Sequence, residues 1–222
     1  LEDGGADGVI VENFGDAPFY PGRVPRHVAA SMTDLAGLVR RTVECPVGVN
    51  VLRNDAETAV AVAAAAGADF VRVNVHTGAR VTDQGVIEGR AHDTLRLRDR
   101  LDAEVSILAD TGVKHSTPLG GAAGTGDDVD DLIDRGLADG VIVSGPRTGE
   151  AVDTGRLDAV AERCADRDTP LYVGSGVTAD TVDDLLSAAD GVIVGTALKR
   201  GGETTAPVEE ARVRALVDGA DA

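Results

Sequence analysis

The sequence has no tryptophan, one methionine, two cysteines, two lysines and only 2% aromatic residues. Cys45 and Cys164 have no metal-binding spacing, and two cysteines make no disulfide framework. No apolar stretch reaches the roughly 20 residues that a membrane span needs. No charged-then-apolar leader opens the sequence, so no secretory signal is visible. These absences predict a cytoplasmic globular protein without direct membrane insertion.

Positive charge is also scarce, since 21 Lys and Arg stand against 38 Asp and Glu, a net charge of −17. This sign disfavours nucleic acid as a partner and adhesion to an anionic membrane. Nineteen of the 21 basic residues are arginine. With the low aromatic content, this predicts a protein adapted to molar salt, where a Debye length of about 3 Å screens self-repulsion. The alternative is an ordinary acidic protein.

What the sequence does contain is a repeated hexapeptide, Ala-Asp-Gly-Val-Ile-Val, at residues 6–11, 138–143 and 189–194, with a looser copy at 68–73. Each copy predicts a helix end, a tight turn and a buried strand. Further apolar runs lie at 46–52, 104–109 and 170–173. Together these segments predict seven strands that start near residues 8, 46, 69, 104, 139, 170 and 190.

Segments with helical periodicity separate the strands, at residues 28–43, 55–66, 91–101, 128–135, 157–165, 182–188 and 208–217. Apolar strands that alternate with helices predict a parallel sheet covered by helices, and their number favours an α/β TIM (β/α)8-type barrel. We expect a single domain over residues 1–222. Later hexapeptides follow a helix, whereas 1–5 resembles only a helix tail, so we expect the first βα unit to be missing.

Polar residues after the strands predict the site, because such barrels form it at the carboxyl ends of their strands. Glycine loops after the last two strands, and the lysine that follows them, predict a phosphate site, since glycine lets backbone N–H groups approach an anion. The alternative is turn glycines with Thr178 as a helix cap. The predicted phosphate-binding residues are Gly174, Ser175, Gly176, Gly195, Thr196 and Lys199.

Three charged residues near strand ends are the predicted catalytic groups: Asp110, Glu12 and Lys114. A carboxylate there can act as a base or stabilise positive charge, and a lysine can act as an acid or bind substrate. The alternatives are loop-ordering carboxylates and a surface lysine. The predicted substrate-binding residues are Asn13, Asn50, Asn74, His76, Asp83, Glu88, His115 and Ser144.

The polar segment 83–90 is predicted to be an insertion after the third strand, either a lid or an ordinary loop. His76 and His115 lack the spacing of a zinc motif, so we expect no metal, and no motif predicts a cofactor.

The chain resembles the BtpA/SgcQ family of TIM-barrel proteins in segments 11–19, 48–54, 72–78, 82–91, 108–110, 113–115, 174–178 and 194–199. The resemblance departs at Thr111 and Gly112, and at a first strand that family members have. It implies one of two functions. The first is an enzyme acting on a small phosphorylated ribose- or nucleoside-like metabolite, either a nucleosidase or a phosphoribosylanthranilate isomerase-like enzyme. The second is a non-catalytic assembly factor for a membrane complex, as in photosystem I biogenesis, which would be peripheral to the membrane. The sequence leaves open whether the protein forms a homo-oligomer.

Overall fold

The computed structural model of the chain describes residues 1–120, 126–145 and 150–220. The strands, in chain order, are β1 (Val9–Glu12), β2 (Val47–Asn50), β3 (Phe70–Val73), β4 (Ala79–Thr82), β5 (Gly85–Glu88), β6 (Ser106–Thr111), β7 (Ser116–Pro118), β8 (Gly140–Val143), β9 (Leu171–Val173) and β10 (Gly191–Val192). The helices are α1 (Arg26–Thr42), α2 (Ala56–Ala66), α3 (Ala91–Arg100), α4 (Gly126–Asp130), α5 (Thr154–Ala165), α6 (Val182–Leu186) and α7 (Glu210–Ala220).

Seven parallel strands form one curled sheet in the order β1-β2-β3-β6-β8-β9-β10. The seven strands expected from the sequence are therefore confirmed, in chain order and with helical crossovers. Within the described residues β1 and β10 do not pair with each other, so the sheet is a half-barrel with two free edges. The architecture is α/β and TIM-barrel-like.

Three copies of the hexapeptide, the looser one included, contact the start of the preceding strand of the sheet. The aspartate of each copy lies before its own strand, and its carboxylate accepts a hydrogen bond from the first or second backbone N–H of that preceding strand. Asp69 accepts from Val47, Asp139 from Ile107 and Asp190 from Leu171, each at 2.8 Å. The backbone N–H of each aspartate also donates to the backbone carbonyl of the residue that its carboxylate contacts: Val47, Ile107 and Leu171, respectively. We call Asp69, Asp139 and Asp190 the strand-start aspartates.

Helices pack the sheet on its outer side in two apolar clusters. One joins β1, β2 and β3 to α1 and α2, and the other joins β8 and β9 to α5, α6 and α7. Asp55 caps α2 by accepting from the N–H of Thr58, so that helix begins where the sequence predicts. Asp153 caps α5 in the same way, and this starts α5 at Thr154 instead of residue 157. The helix predicted at 128–135 is α4 followed by one π-helical turn, Asp131–Arg135.

The segment 83–90 follows β3, the third parallel strand, as the sequence predicts, but the ordinary-loop alternative was wrong. Residues 79–88 form the β4–β5 hairpin, and β7 adds a third antiparallel strand. The polarity of the strands hid them: Arg80 and Thr82 point inward and are buried, whereas Val81 and Val86 are exposed. This small sheet lies beyond the carboxyl ends of β3 and β6.

Candidate functional site

A buried ion pair occupies the concave side of the curled sheet. Arg72 on β3 donates to both carboxylate oxygens of Asp110 on β6, with Nε to Oδ2 at 2.8 Å and Nη2 to Oδ1 at 2.7 Å. The amide of Asn74 donates to the same Oδ2 at 3.2 Å. Burial opposes the charge of Arg72, but Asp110 overrides it and raises the pKa of the Arg72 guanidinium. Since both oxygens of Asp110 are engaged and its side chain is 1% exposed, Asp110 holds Arg72 and is not presented as a free base.

Glu12 is the accessible carboxylate at the same end of the sheet. It ends β1 and is exposed, and its Oε2 accepts from the amide nitrogen of buried Asn50 at 2.7 Å. Asn50 thus orients Glu12. Asn13 faces the neighbouring loop, where its Oδ1 accepts from the N–H of Leu52 at 2.7 Å, so its role in the structure is to order that loop.

Lys114 reaches across the mouth of the half-barrel, by which we mean the end where the carboxyl ends of the parallel strands lie. Its Nζ donates to the carbonyl oxygen of Gly174, at the end of β9, at 2.9 Å. Burial lowers the pKa of Lys114 and the charge of Arg72 lowers it further, while Asp110 and Glu12 act in the opposite direction. The structure thus brings Lys114 and Glu12 to opposite sides of the buried ion pair.

The first glycine loop is tightly packed. A Cβ on Gly174 would lie 2.7 Å from the hydroxyl oxygen of Ser144 and 3.3 Å from Nη2 of Arg72, so only glycine fits beside the ion pair. Gly176 has φ +71°, and a Cβ there would overlap the Cα of Ala151. The Ser175 hydroxyl accepts from the N–H of Gly145 at 2.8 Å and donates to the carbonyl of Glu150 at 2.9 Å. Ser175 therefore joins two loops and its hydroxyl is not free for a phosphate.

Backbone amides in both glycine loops remain available. Among the described residues, no acceptor is hydrogen-bonded to the N–H groups of Ser175, Gly176 and Val177, or to those of Gly195 and Thr196. Gly195 is exposed, and a Cβ there would meet no atom within 4 Å. The Thr196 hydroxyl pairs with that of Thr204 at 3.0 Å. Half-buried Lys199 follows directly.

Four further predicted site residues lie in the core or on the surface. His76 is 1% exposed, and its Nε2 bonds to the carbonyl of Gly136 at 2.8 Å, so the ring packs against a helix end. Asp83 and Glu88 are exposed on the small sheet. His115 is exposed with φ +54°. The helix-cap alternative for Thr178 was wrong, because Thr181 is the residue before α6 and no side chain caps that helix.

Sequence reasoning missed the arginines. Arg72 interrupts the apolar pattern of the looser hexapeptide copy, and a charge inside a buried strand is the signal that could have identified it. Arg53, Arg80 and Arg156 also reach the mouth, but their positions in the sequence do not indicate it. Across the described ranges, no group of three or more His, Cys, Asp or Glu side chains is arranged to hold a metal ion. In the same part of the chain no helix is long and apolar enough to span a membrane.

Solved structures of other proteins have a fold similar to that of this chain. Thiamine phosphate pyrophosphorylase from Pyrococcus furiosus superposes with a TM-score of 0.63 at 15% identity, covering 99% of this chain and 85% of that chain. N-(5'-phosphoribosyl)anthranilate isomerase from Pyrococcus furiosus gives a TM-score of 0.60 at 16% identity, covering 100% and 94%. At these identities the likeness establishes the fold alone.

Relatives found by sequence have a much higher sequence identity to this chain than these solved structures do. The chain is 47% identical over 218 residues to the photosystem I biogenesis protein BtpA of Synechocystis sp., covering 98% of this chain and 75% of that protein. It is 45% identical over 218 residues to an uncharacterized protein of Thermococcus kodakarensis, covering 98% and 81%. The family model described as the BtpA family matches residues 1–222. This chain is therefore a member of the BtpA family.

Proposed function

We propose that the protein is an enzyme that binds a phosphorylated ribose- or nucleoside-like metabolite at the carboxyl ends of its parallel strands. The observation that carries the proposal is the pair of glycine loops after β9 and β10, where the N–H groups of Ser175, Gly176, Val177, Gly195 and Thr196 have no acceptor among the described residues. Backbone N–H groups of this kind bind phosphate in many α/β barrels. Lys199 adds a positive charge next to the second loop.

The groups at the mouth support acid–base chemistry on the sugar. Glu12 is an accessible carboxylate held by Asn50, and Lys114 is an amine whose pKa is lowered by burial. In an isomerase-type reaction, Glu12 removes the proton from the carbon beside the carbonyl while Lys114 protonates the carbonyl oxygen. The enediol then takes the proton back from Glu12 on the neighbouring carbon, while Lys114 recovers the proton of the other hydroxyl, which becomes the new carbonyl. Since the pair matches this proton transfer, we favour a phosphoribosyl isomerase-type reaction over a nucleosidase.

The chemistry is tested by solvent exchange. Ribose 5-phosphate is incubated with the protein in D2O, and NMR follows deuterium entering the carbons next to the carbonyl. We expect exchange with wild type and a loss of about 100-fold or more with Glu12→Gln, since general base catalysis contributes about that much. Glu104→Gln, at an exposed residue at the other end of β6, is the control and retains exchange. Release of a free base from a nucleoside 5'-phosphate, without exchange, would favour a nucleosidase instead.

The phosphate site is tested at Gly195. A Cβ at Gly195 would meet no atom within 4 Å, so a leucine is accepted there and covers the free amides, and Gly195→Leu weakens binding of ribose 5-phosphate in calorimetry. Gly22→Leu is the control, because that glycine also has open space around it. Gly176→Val is unsuitable, since its Cβ would overlap the backbone of Ala151 and unfold the loop. Equal binding by wild type and Gly195→Leu would contradict the phosphate site.

A second candidate function is assembly of a membrane complex, the role in the name of the Synechocystis relative. The outer face of the small sheet favours it, because Val81, Val86 and Leu119 share that face and are 43%, 53% and 57% exposed. Exposed apolar patches mark protein contacts. Replacing all three by serine should abolish co-sedimentation with membranes of the source organism if this function is correct, and should leave solvent exchange unchanged.

We also propose that an eighth parallel strand completes the mouth between β1 and β10. Asp7 occupies the position of the strand-start aspartates in the first hexapeptide, yet it is exposed and its carboxylate accepts no hydrogen bond from a described residue. Its carboxylate would accept from the first N–H of that strand. A protein carrying such a strand and its helix should melt at a higher temperature and aggregate less, since free strand edges promote pairing between molecules. An unchanged melting temperature would contradict the added strand.

A further inference from the structure

Loop 111–116, which follows β6 and carries Lys114, is held by three arginines from distant parts of the chain. Arg53 donates from Nη2 to the carbonyl of Lys114 at 2.5 Å. Arg80 donates from Nε to the hydroxyl of Ser116 at 2.6 Å. Arg156 donates from Nη2 to the carbonyl of Thr111 at 2.6 Å, and Gly112 is a glycine because a Cβ would overlap that guanidinium.

In the part of the chain that the structure describes, these cations are not engaged by a carboxylate. Throughout the described ranges, none of Arg53, Arg80, Lys114 and Arg156 forms an ion pair, and their hydrogen bonds end on carbonyl or hydroxyl oxygens. Elsewhere the arginines do find carboxylates, as in the 2.8 Å pair between Arg98 and Asp139. Half-buried charges are normally paired, and this chain has 38 acidic residues with which to pair them. Among the described residues, four cations around one loop therefore lack an ion pair, and an external anion would supply the missing negative charge.

The four cations share Asp110 as an electrostatic neighbour. Burial lowers the pKa of all four side chains, and the charge of Asp110 acts on each of them in the opposite direction. On Arg80 and Arg156 the largest opposing charge is that of Asp128. Asp110 is neutralised by its contact with Arg72. Three polar atoms beside Arg156 also have no hydrogen-bond partner: Thr111 Oγ1, Ser144 Oγ and Arg156 Nε. The region thus combines excess positive charge with unused hydrogen-bonding capacity.

We propose that Arg53, Arg80 and Arg156 form a second anion subsite, and that the ligand is a pentose carrying two phosphates. This inference rests on the proposed function, in which the glycine loops hold the first phosphate. Lys114 lies between the two subsites, because its backbone carbonyl binds Arg53 while its Nζ reaches Gly174 in the first glycine loop. Guanidinium groups suit the second phosphate, since their planar donors match its oxygens in pairs.

Calorimetry with ribose 5-phosphate and ribulose 1,5-bisphosphate tests the subsite. We expect wild type to bind the bisphosphate at least tenfold more tightly, and Arg80→Gln and Arg53→Gln to remove most of this preference while changing affinity for the monophosphate little. Arg80→Lys, which keeps the charge, retains part of the preference and guards against a loss caused by misfolding. Arg100→Gln, at an exposed residue at the end of α3, is the control.

The possible results distinguish the second anion subsite from the proposed function on which it rests. Equal affinity of wild type for the two ligands, or arginine variants that keep the preference, would overturn the second subsite and leave the phosphate site in place. Failure of both ligands to bind wild type would overturn the proposed function and the subsite together. A preference that Arg80→Gln and Arg53→Gln remove, but Arg100→Gln does not, supports the subsite.

Discussion

At the scale of single residues, the contact between Arg72 and Asp110 is the one whose loss costs most. Asp110→Asn keeps the shape of the side chain but leaves a buried guanidinium without a counter-charge. We expect the free energy of unfolding to fall by about 3–5 kcal/mol, the usual cost of breaking a buried pair. Glu12→Gln, at an exposed carboxylate, should change it by less than about 0.5 kcal/mol. Urea unfolding measures both, and an Asp110→Asn variant as stable as wild type would contradict the structural role of the pair.

His76 gives a pH-dependent prediction. Burial lowers the pKa of its imidazole, with Arg98 adding to the effect, while the Gly136 carbonyl and Asp139 oppose it. Between that lowered pKa and the ordinary value of about 6.5, the unfolded chain binds more protons than the folded one, so stability rises with pH. His76 therefore contributes stability above about pH 6.5 that is lost as the pH falls through this window.

The measurement is urea unfolding from pH 7.5 to 5.5. We expect His76→Gln to flatten the dependence by up to about 1.4 kcal/mol per pH unit, the value for one proton. His27→Gln, at an exposed histidine of α1, should leave the slope unchanged. Parallel curves for wild type and His76→Gln would show that the buried ring does not titrate as its environment requires.

At the scale of secondary-structure elements, the strand-start aspartates are the feature to test. Asp190 gives the clearest test, since its carboxylate and its backbone N–H both bond to Leu171. Asp190→Ala leaves the first N–H of β9 without its acceptor, and we expect a loss of about 1–2 kcal/mol. Asp190→Asn keeps an acceptor oxygen and should recover part of that loss. The matched control is Asp7→Ala in the same hexapeptide, which should have little effect in this chain; equal losses at both positions would refute the assigned contact.

The elements also show how far the sequence could predict the structure. The seven parallel strands are apolar and repeat a local motif, so local pattern sufficed to find them. Strands β4, β5 and β7 were missed because they bury Arg80 and Thr82 and expose Val81 and Val86, the reverse of the usual pattern. The glycine loops were likewise visible locally. The convergence of Arg53, Arg80 and Arg156 on loop 111–116 depends on three separate crossovers, and no short segment contains that information.

At the scale of the whole molecule, the net charge of −17 predicts a strong dependence on salt. The Debye length falls from about 10 Å at 0.1 M salt to about 3 Å at 1 M, which suppresses repulsion between exposed carboxylates. We expect the melting temperature to rise clearly between about 0.1 and 2 M KCl, and cooperative unfolding to be lost on dialysis into low salt. Glycerol at matched osmolality controls for general solvent effects. A melting temperature that does not change with KCl would contradict adaptation to salt.

The order of the curled sheet also determines how the chain can fold. Strands that follow one another along the chain in the parallel sheet are also neighbours within it, and β1 and β10 are the two edges. A helical crossover separates each neighbouring pair. Contacts of this kind join residues a few tens of positions apart, so loop-closure entropy stays moderate at each step. As in repeat proteins, structure can begin at any βα unit and extend to its neighbours. We therefore expect folding to spread from one unit to the next, with the strand-start aspartates setting the register of each new strand as it docks.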